Sequence, residues 1–183
     1  MYKPFIAPGF VGNRLTEGGL AVFPALVAEG SQSVPGVQGY VRTAGEELAA
    51  SLKEAQPSLK VVTPSQVSAA LASNDLVGDF SKLKQDYSLT GIVDVNLAKK
   101  IVEPLKVRYF MLPSINSLFA SGESTAKAQM SAKIYDANSA EMVFESVQSG
   151  ESTSIFSGPP YEKATILASK NLTKTLLKVY TQK

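Results

Sequence analysis

Apolar residues recur every three or four positions in several segments, and this spacing predicts amphipathic helices. The predicted helices cover residues 37–55, 64–72, 95–105 and 161–180, with one or two further helical turns within 76–93. Thr63 and Asp94 stand directly before two of these segments and are suited to cap their first turns. Pro64, at a first helical position, fits the same boundary.

Five shorter segments have the apolar or alternating pattern of β-strands. They cover residues 20–26, 59–63, 107–118, 126–135 and 141–152. Alternation is cleanest from residue 126. The side chains expected to face the helices are Ala126, Ala128, Met130, Ala132 and Ile134, and those expected to point outward are Lys127, Gln129, Ser131, Lys133 and Tyr135. Pro24 cannot donate a ladder hydrogen bond, so the first strand is expected to loosen there.

The order of these elements, β-α-β-α-α-β-β-β-α, predicts the fold class. Strands separated by helices come first, three strands joined by short links then form an antiparallel meander, and a helix closes the chain. We therefore expect a single-domain α/β sandwich over residues 20–183, with a mixed five-stranded sheet covered by helices. Residues 1–19 contain two prolines and four glycines, which predicts an extended N-terminal arm or linker.

Composition excludes several classes of function. The 183 residues include no Cys and no His, so thiol nucleophiles, Ser-His-Asp triads, and Cys or imidazole metal sites are excluded. A net charge of +2 is too small to favour nucleic acid as a partner. We accordingly expect no cofactor and no metal.

Serine–lysine hydrolases need neither Cys nor His, and their sequence pattern is a Ser-x-x-Lys pair. It occurs as Ser81/Lys84 and as Ser124/Lys127, but its companion Lys-Thr-Gly is missing, because Leu176 follows Lys174-Thr175. We predict no catalytic residues and no enzyme. An alternative function is small-ligand binding at the first strand-to-helix loop, residues 29–39, near Gly36.

Several local patterns occur in an order that resembles the CsgG-type and TolB N-terminal-like group of bacterial envelope lipoproteins. The resemblance covers about residues 20–181 and rests on packing and turn patterns. They are the apolar strand with Pro at 20–26, the strand at 59–63 before a helix at 67–71, the Leu-Ala-x-x-Ile helix and strand within 97–109, the hairpin at 134–143, and the Ala- and Leu-spaced final helix.

The resemblance implies a non-enzymatic periplasmic domain of a lipoprotein, acting in assembly or as an accessory or scaffold of an envelope complex. It implies localisation at the periplasmic face of the outer membrane, held there by an N-terminal lipid anchor. The sequence has no lipidated Cys, and residues 1–8 lack the apolar region of an intact signal peptide. Removal of the export signal and the anchor would explain this, and a cytoplasmic protein is the other explanation.

Two surfaces are candidate sites for partners. The link between the first two meander strands and the exit of the third are expected at one end of the sheet, where Leu118, Phe119, Ile155 and Phe156 would form an apolar patch for a protein partner or a second copy. Packing of these side chains onto the core is the alternative. Lys170, Lys174 and Lys178 share one side of the last helix, where they could contact an anionic surface or simply favour the helix C-terminus.

Overall fold

A seven-stranded mixed sheet forms the centre of the protein in the computed structural model, which describes residues 3–155 and 158–181. The strands are Phe5–Ile6 (β1), Leu20–Val22 (β2), Leu26–Val27 (β3), Val61–Val62 (β4), Tyr109–Ala120 (β5), Thr125–Asp136 (β6) and Met142–Thr153 (β7). Their order is β1-β7-β6-β5-β2-β4, and β3 pairs with β5 beyond the end of β2. The predicted α/β class is confirmed, and the sheet has two more short strands than the five expected.

Six helices cover the sheet. They are Gly12–Gly18 (α1), Val37–Ala55 (α2), Pro64–Ser73 (α3), Val77–Thr90 (α4), Val95–Val102 (α5) and Tyr161–Leu176 (α6). Short 3-10 segments lie at 29–31, 103–105 and 177–180. The side chain of Thr63 accepts the backbone N–H of Gln66, whose own side chain accepts the N–H of Thr63, and Asp94 caps α5 through two backbone N–H groups. Both predicted caps are confirmed.

The sheet has a parallel part and an antiparallel part. β2 lies between β4 and β5 and runs parallel to both, because α2 and then α3–α5 carry the chain across the sheet. β5, β6 and β7 form the predicted antiparallel meander, with strands of twelve residues each. The strand predicted at residues 20–26 ends as β2 at Val22 and resumes as β3 after Pro24, as expected.

The hydrophobic core divides into two layers, one on each face of the sheet. On the first face, α2 and α6 pack against the inward side chains of the meander, including Met130, Ile134 and Phe144. On the second face, α3, α4 and α5 cover Phe23, Phe110 and their neighbours. The predicted inward set, from Ala126 to Ile134 at alternate positions, is buried as expected.

Three expectations about exposure and extent are wrong. Tyr135 points away from the first layer but is buried, because its ring stacks on Phe110 with centroids 5.4 Å apart beneath the second layer. α4 is one continuous helix rather than one or two turns. The last α-helix ends at Leu176, and the chain continues to Tyr180 as a 3-10 segment.

The N-terminal segment differs from the extended arm that was expected. Residues 5–6 add a strand to the edge of β7, and α1 buries Leu15 completely. α1 lies so close to the end of the chain that a Cβ at Gly12 would overlap the ring of Tyr180. Phe10 packs edge-on against Tyr109, with ring centroids 5.8 Å apart. These contacts place residues 5–18 in the domain.

Candidate functional site

The turn between β5 and β6 and the exit of β7 lie at the same end of the sheet, as the order of strands predicts. The backbone N–H of Ser154 donates to the carbonyl oxygen of Ser124 at 2.8 Å. The hydroxyls of Thr125 and Thr153 are 3.1 Å apart across β6 and β7. We call this end the tip of the meander.

The four apolar residues predicted for a partner site do not share one surface. Phe119 is 48% exposed and Ile155 is 93% exposed, whereas Leu118 is 3% exposed and belongs to the first core layer. The expectation for Leu118 is wrong because successive side chains of a strand point to opposite faces. Its neighbour Phe119 therefore points to the second face. Phe156 lies outside the described residues.

The second face of the sheet at the tip is mostly polar, and no helix among the described residues covers it. Phe119, Lys127 and Glu151 are cross-strand neighbours in register on β5, β6 and β7. Lys127 Nζ lies 3.2 Å from Glu151 Oε2, and Gln129 is next to them. These residues line a shallow depression of about 280 Å³. We call Phe119, Lys127, Gln129 and Glu151 the tip face, and include in it Ile155, which follows the exit of β7 at the same end of the sheet.

Two further exposed apolar side chains stand at the end of α4, far along the chain from the tip. Leu89 is 77% exposed and Ile92 is 70% exposed, on either side of Gly91, which ends the helix in a left-handed conformation. This pair could not be predicted as a site, because the sequence does not show whether isolated apolar residues beside a glycine are exposed.

The three lysines near the C-terminus differ in their surroundings. Lys170 Nζ lies 3.5 Å from Glu47 Oε1 on α2, so its charge already has a partner. Lys174 is exposed on the last turn of α6, where the helix dipole favours a cation. Lys178 is in the 3-10 segment rather than on the helix. Contact of the three with an anionic surface stays a prediction.

Neither Ser-x-x-Lys pair forms a nucleophile and base. Ser81 is exposed, and Lys84 lies over the ring of Phe80, 4.9 Å from its centroid. Lys127 is held by Glu151, as described above. Within residues 3–155 and 158–181, no cluster of three acidic side chains is arranged to hold a metal ion. In the same residues, no helix is both long and apolar enough to cross a membrane.

A larger cavity, of about 520 Å³, lies beside the first strand-to-helix loop. Gly36, the predicted centre of a ligand site, is the N-cap of α2 with φ of 76° and is not part of the cavity lining. The part of the cavity lining that α2 provides begins two residues further along, at Gln38, and includes Arg42. Its other walls come from the end of β2, the start of α3 and Lys84 of α4.

The fold is similar to that of solved bacterial proteins. The PelC dodecamer from Paraburkholderia phytofirmans has a TM-score of 0.57 at 9% identity, with 95% of this chain and 94% of that chain covered. A PelC variant dodecamer from the same organism gives 0.54 at 9% identity, covering 98% of each chain. Lipoprotein GNA1162 from Neisseria meningitidis gives 0.46 at 14% identity, covering 90% and 95%. No protein-family model and no curated protein matches the sequence. At 9% identity, the similarity to the two PelC structures, with TM-scores above 0.5, establishes a shared fold and no more.

Proposed function

We propose that this chain is a non-enzymatic periplasmic domain of a bacterial envelope lipoprotein, held at the outer membrane by an N-terminal lipid anchor. It belongs, in this proposal, to the CsgG-type and TolB N-terminal-like group that its sequence resembles. It acts as an accessory or scaffold through protein–protein contacts of the tip face. The partner that binds this face is a second copy of the chain.

The observation that carries the proposal is the exposure of Phe119 and Ile155 at one end of the sheet. An aromatic and a branched aliphatic side chain supply the apolar anchors that interfaces use, and the ion pair of Lys127 with Glu151 supplies a polar rim beside them. The similarity of the fold to a protein solved as a dodecamer supports a second copy as the occupant. A non-enzymatic role is in keeping with the two Ser-x-x-Lys pairs, whose lysines contact Phe80 and Glu151 rather than their serines in the described part of the chain.

The experiment compares two double variants by sedimentation velocity over a range of protein concentrations. Phe119→Ser with Ile155→Ser removes the apolar anchors of the tip face. Leu89→Ser with Ile92→Ser is the matched control, since it removes two exposed apolar side chains at the end of α4. All four side chains are substantially exposed, so both variants are expected to fold, which circular dichroism checks.

The proposal predicts that the unaltered chain self-associates and that the tip variant sediments as a monomer, whereas the control associates like the unaltered chain. Association of the tip variant at unaltered strength would contradict it. Loss of association only in the Leu89/Ile92 variant would place the interface at the end of α4 instead. A chain that is monomeric at every concentration would exclude a second copy as the occupant.

A further inference from the structure

The cavity of about 520 Å³ lies at a special position in the sheet, between the carboxyl ends of two neighbouring parallel strands. After β2 the chain turns to the first face and forms α2, whereas after β4 it turns to the second face and forms α3. A crevice opens in open α/β sheets where adjacent connections leave to opposite faces, and ligands bind there. Pro24 and Pro64 stand at the two strand ends and line this crevice.

Two walls of this crevice, α2 and the start of α3, approach each other closely at a glycine. α2 passes the start of α3 at Gly45. A Cβ at this position would come 3.3 Å from Pro64 Cγ, so a residue without a side chain fits here. The volume is within the range of about 300–1,000 Å³ that accommodates a small molecule. The walls near the strand ends are apolar, from Pro24, Val41 and Pro64.

Two cations line the cavity without a counter-ion. Arg42 on α2 and Lys84 on α4 form no ion pair and donate no hydrogen bond within the described part of the chain. Lys84 is held over the ring of Phe80, which packs on Phe23 directly after β2, with ring centroids 5.1 Å apart. This series of contacts holds a positive charge beside the end of β2.

One carboxylate also lines the cavity, and it is already bound. Glu46 Oε1 accepts the backbone N–H of Ser65 at 2.8 Å and also the Ser65 hydroxyl. It therefore occupies the first turn of α3, where the helix dipole favours an anion. Two cations against one bound carboxylate leave the cavity with a net positive charge.

We propose that this cavity binds a small molecule with two oxyanion groups, carboxylate or phosphate, on a short apolar body. Arg42 presents its planar guanidinium for a bidentate contact with one oxyanion, Lys84 neutralises the second, and Gln38 and Ser68 at the rim donate hydrogen bonds. The apolar walls at the two prolines contact the body of the ligand. This site is separate from the tip face, so its test and the test of self-association succeed or fail independently.

The experiment titrates the isotope-labelled chain with citrate and, separately, with inorganic pyrophosphate, and follows backbone amide shifts by NMR. Arg42→Gln with Lys84→Gln removes both cavity cations. Lys53→Gln with Lys163→Gln removes the same charge from exposed positions on α2 and α6 and is the matched control. The spectra themselves report whether each variant is folded.

We expect saturable shifts at Gln38, Arg42, Gly45 and Ser68 with at least one probe. The dissociation constant should rise about tenfold or more in the cavity variant, because charge-assisted contacts are lost, and should change less than about twofold in the control, where exposed charges act only at a distance. Response to citrate alone identifies carboxylates as the ligand groups, and response to pyrophosphate alone identifies phosphates.

Two results would overturn the proposal. One is the absence of saturable shifts at the cavity with either probe up to about 10 mM, a concentration that would occupy most of a site with a dissociation constant of about 1 mM. The other is equal weakening in the cavity variant and the control, which would show that the anions respond only to overall charge.

Discussion

The two ends of the antiparallel meander are built from the same three strands, but they are packed differently. At the base, near Phe110 and Tyr135, helices cover both faces of the sheet. At the tip, near Phe119 and Gln129, α6 covers only the first face. On β5 and β6 the inward residues are apolar at both ends, so on these two strands the difference lies in the outward residues.

This comparison shows how the sequence determines where the second layer ends. At the base, the outward positions of β5 and β6 include Phe110, Leu112 and Tyr135, which helices α3–α5 bury, while Lys133 beside them stays partly exposed. Toward the tip the outward positions become Ser, Gln and Lys, and burying those would require partners for every polar group. Phe119 is the apolar exception among them and stands out for that reason.

The largest effect is expected from truncating the inward layer. Ile134 is fully buried between the sheet and the helices of the first face. Ile134→Ala removes buried methyl groups and leaves a cavity, so it should lower the free energy of unfolding by about 2–5 kcal/mol. Urea denaturation measures this. A loss as small as that of a surface substitution would mean that the strand register is wrong.

A second prediction concerns the tip half of the same layer, where α6 packs directly on the backbone of β7. A Cβ at Gly150 would overlap the carbonyl oxygen of Ala164 and lie 2.5 Å from the amide nitrogen of Ala168. Gly150→Ala should therefore force α6 to shift and destabilise the fold by about 1–3 kcal/mol.

The neighbouring strand position provides the control for that clash. Ser149 is exposed and points to the uncovered second face. Ser149→Ala should change the free energy of unfolding by less than about 0.5 kcal/mol, as at an ordinary surface site. Equal stability of Gly150→Ala and Ser149→Ala, measured by thermal unfolding, would disprove the close contact with α6.

A third prediction tests the second layer at the base through its pH dependence. Burial raises the pKa of Tyr135 above its ordinary value, and a hydrogen bond with Tyr87 raises it further. Above pH of about 10 the unfolded chain releases this proton while the folded chain keeps it, so the free energy of unfolding falls as the pH rises. Tyr135→Phe should make that alkaline loss of stability shallower.

Tyr135→Phe should not abolish the loss of stability at high pH, because two other tyrosines contribute to it. Burial also raises the pKa of Tyr109 and of Tyr180, so these two residues continue to lower stability at high pH in the Tyr135→Phe variant. Melting temperatures measured from neutral pH to about pH 11 give the slopes, with the range set by the ordinary tyrosine pKa. Identical slopes in the variant and the unaltered chain would contradict burial of Tyr135.

The smallest effects compare two outward lysines of β6. Lys127 at the tip has only its exposed ion pair with Glu151, so Lys127→Ala should change stability by less than about 0.5 kcal/mol. Lys133 at the base lies 5.6 Å from the centroid of the Tyr87 ring, and Lys133→Ala should lose about 0.5–1 kcal/mol. Urea denaturation of both variants measures the difference, and the reverse order would contradict the two-layer base.

Much of this architecture could be predicted because it depends on local chemistry. The bounds of α2, the caps at Thr63 and Asp94, and the inward set ending at Ile134 all follow from spacing and side-chain type. The burial of Tyr135 could not be predicted, because it depends on helices that come from elsewhere in the chain. Residues 5–18 were misjudged for the same reason, since Leu15 is buried in a core layer built mostly from elements far along the sequence.

The candidate sites, too, could be predicted only as far as the order of elements along the chain determines them. The order of strands predicted that the segments of Phe119 and Ile155 lie at one end of the sheet, but it left open whether these side chains are exposed or pack onto the core; the structure shows both exposed. The burial of Leu118 was missed because its pairing with Phe119 treated two opposite faces as one. The cavity itself was not predicted, although the expected ligand loop near Gly36 lies close to it, since Arg42 of α2 and Lys84 of α4 are brought to one cavity only by the tertiary fold.

The measurement that tests the central claim most directly is backbone hydrogen exchange at low and high protein concentration. Contact between two copies through the tip face should slow exchange at residues 117–129 and 149–155 only at high concentration, and leave residues 130–136 at the base unchanged. Exchange at the tip that is independent of concentration, or protection that develops instead around Leu89 and Ile92, would contradict the account.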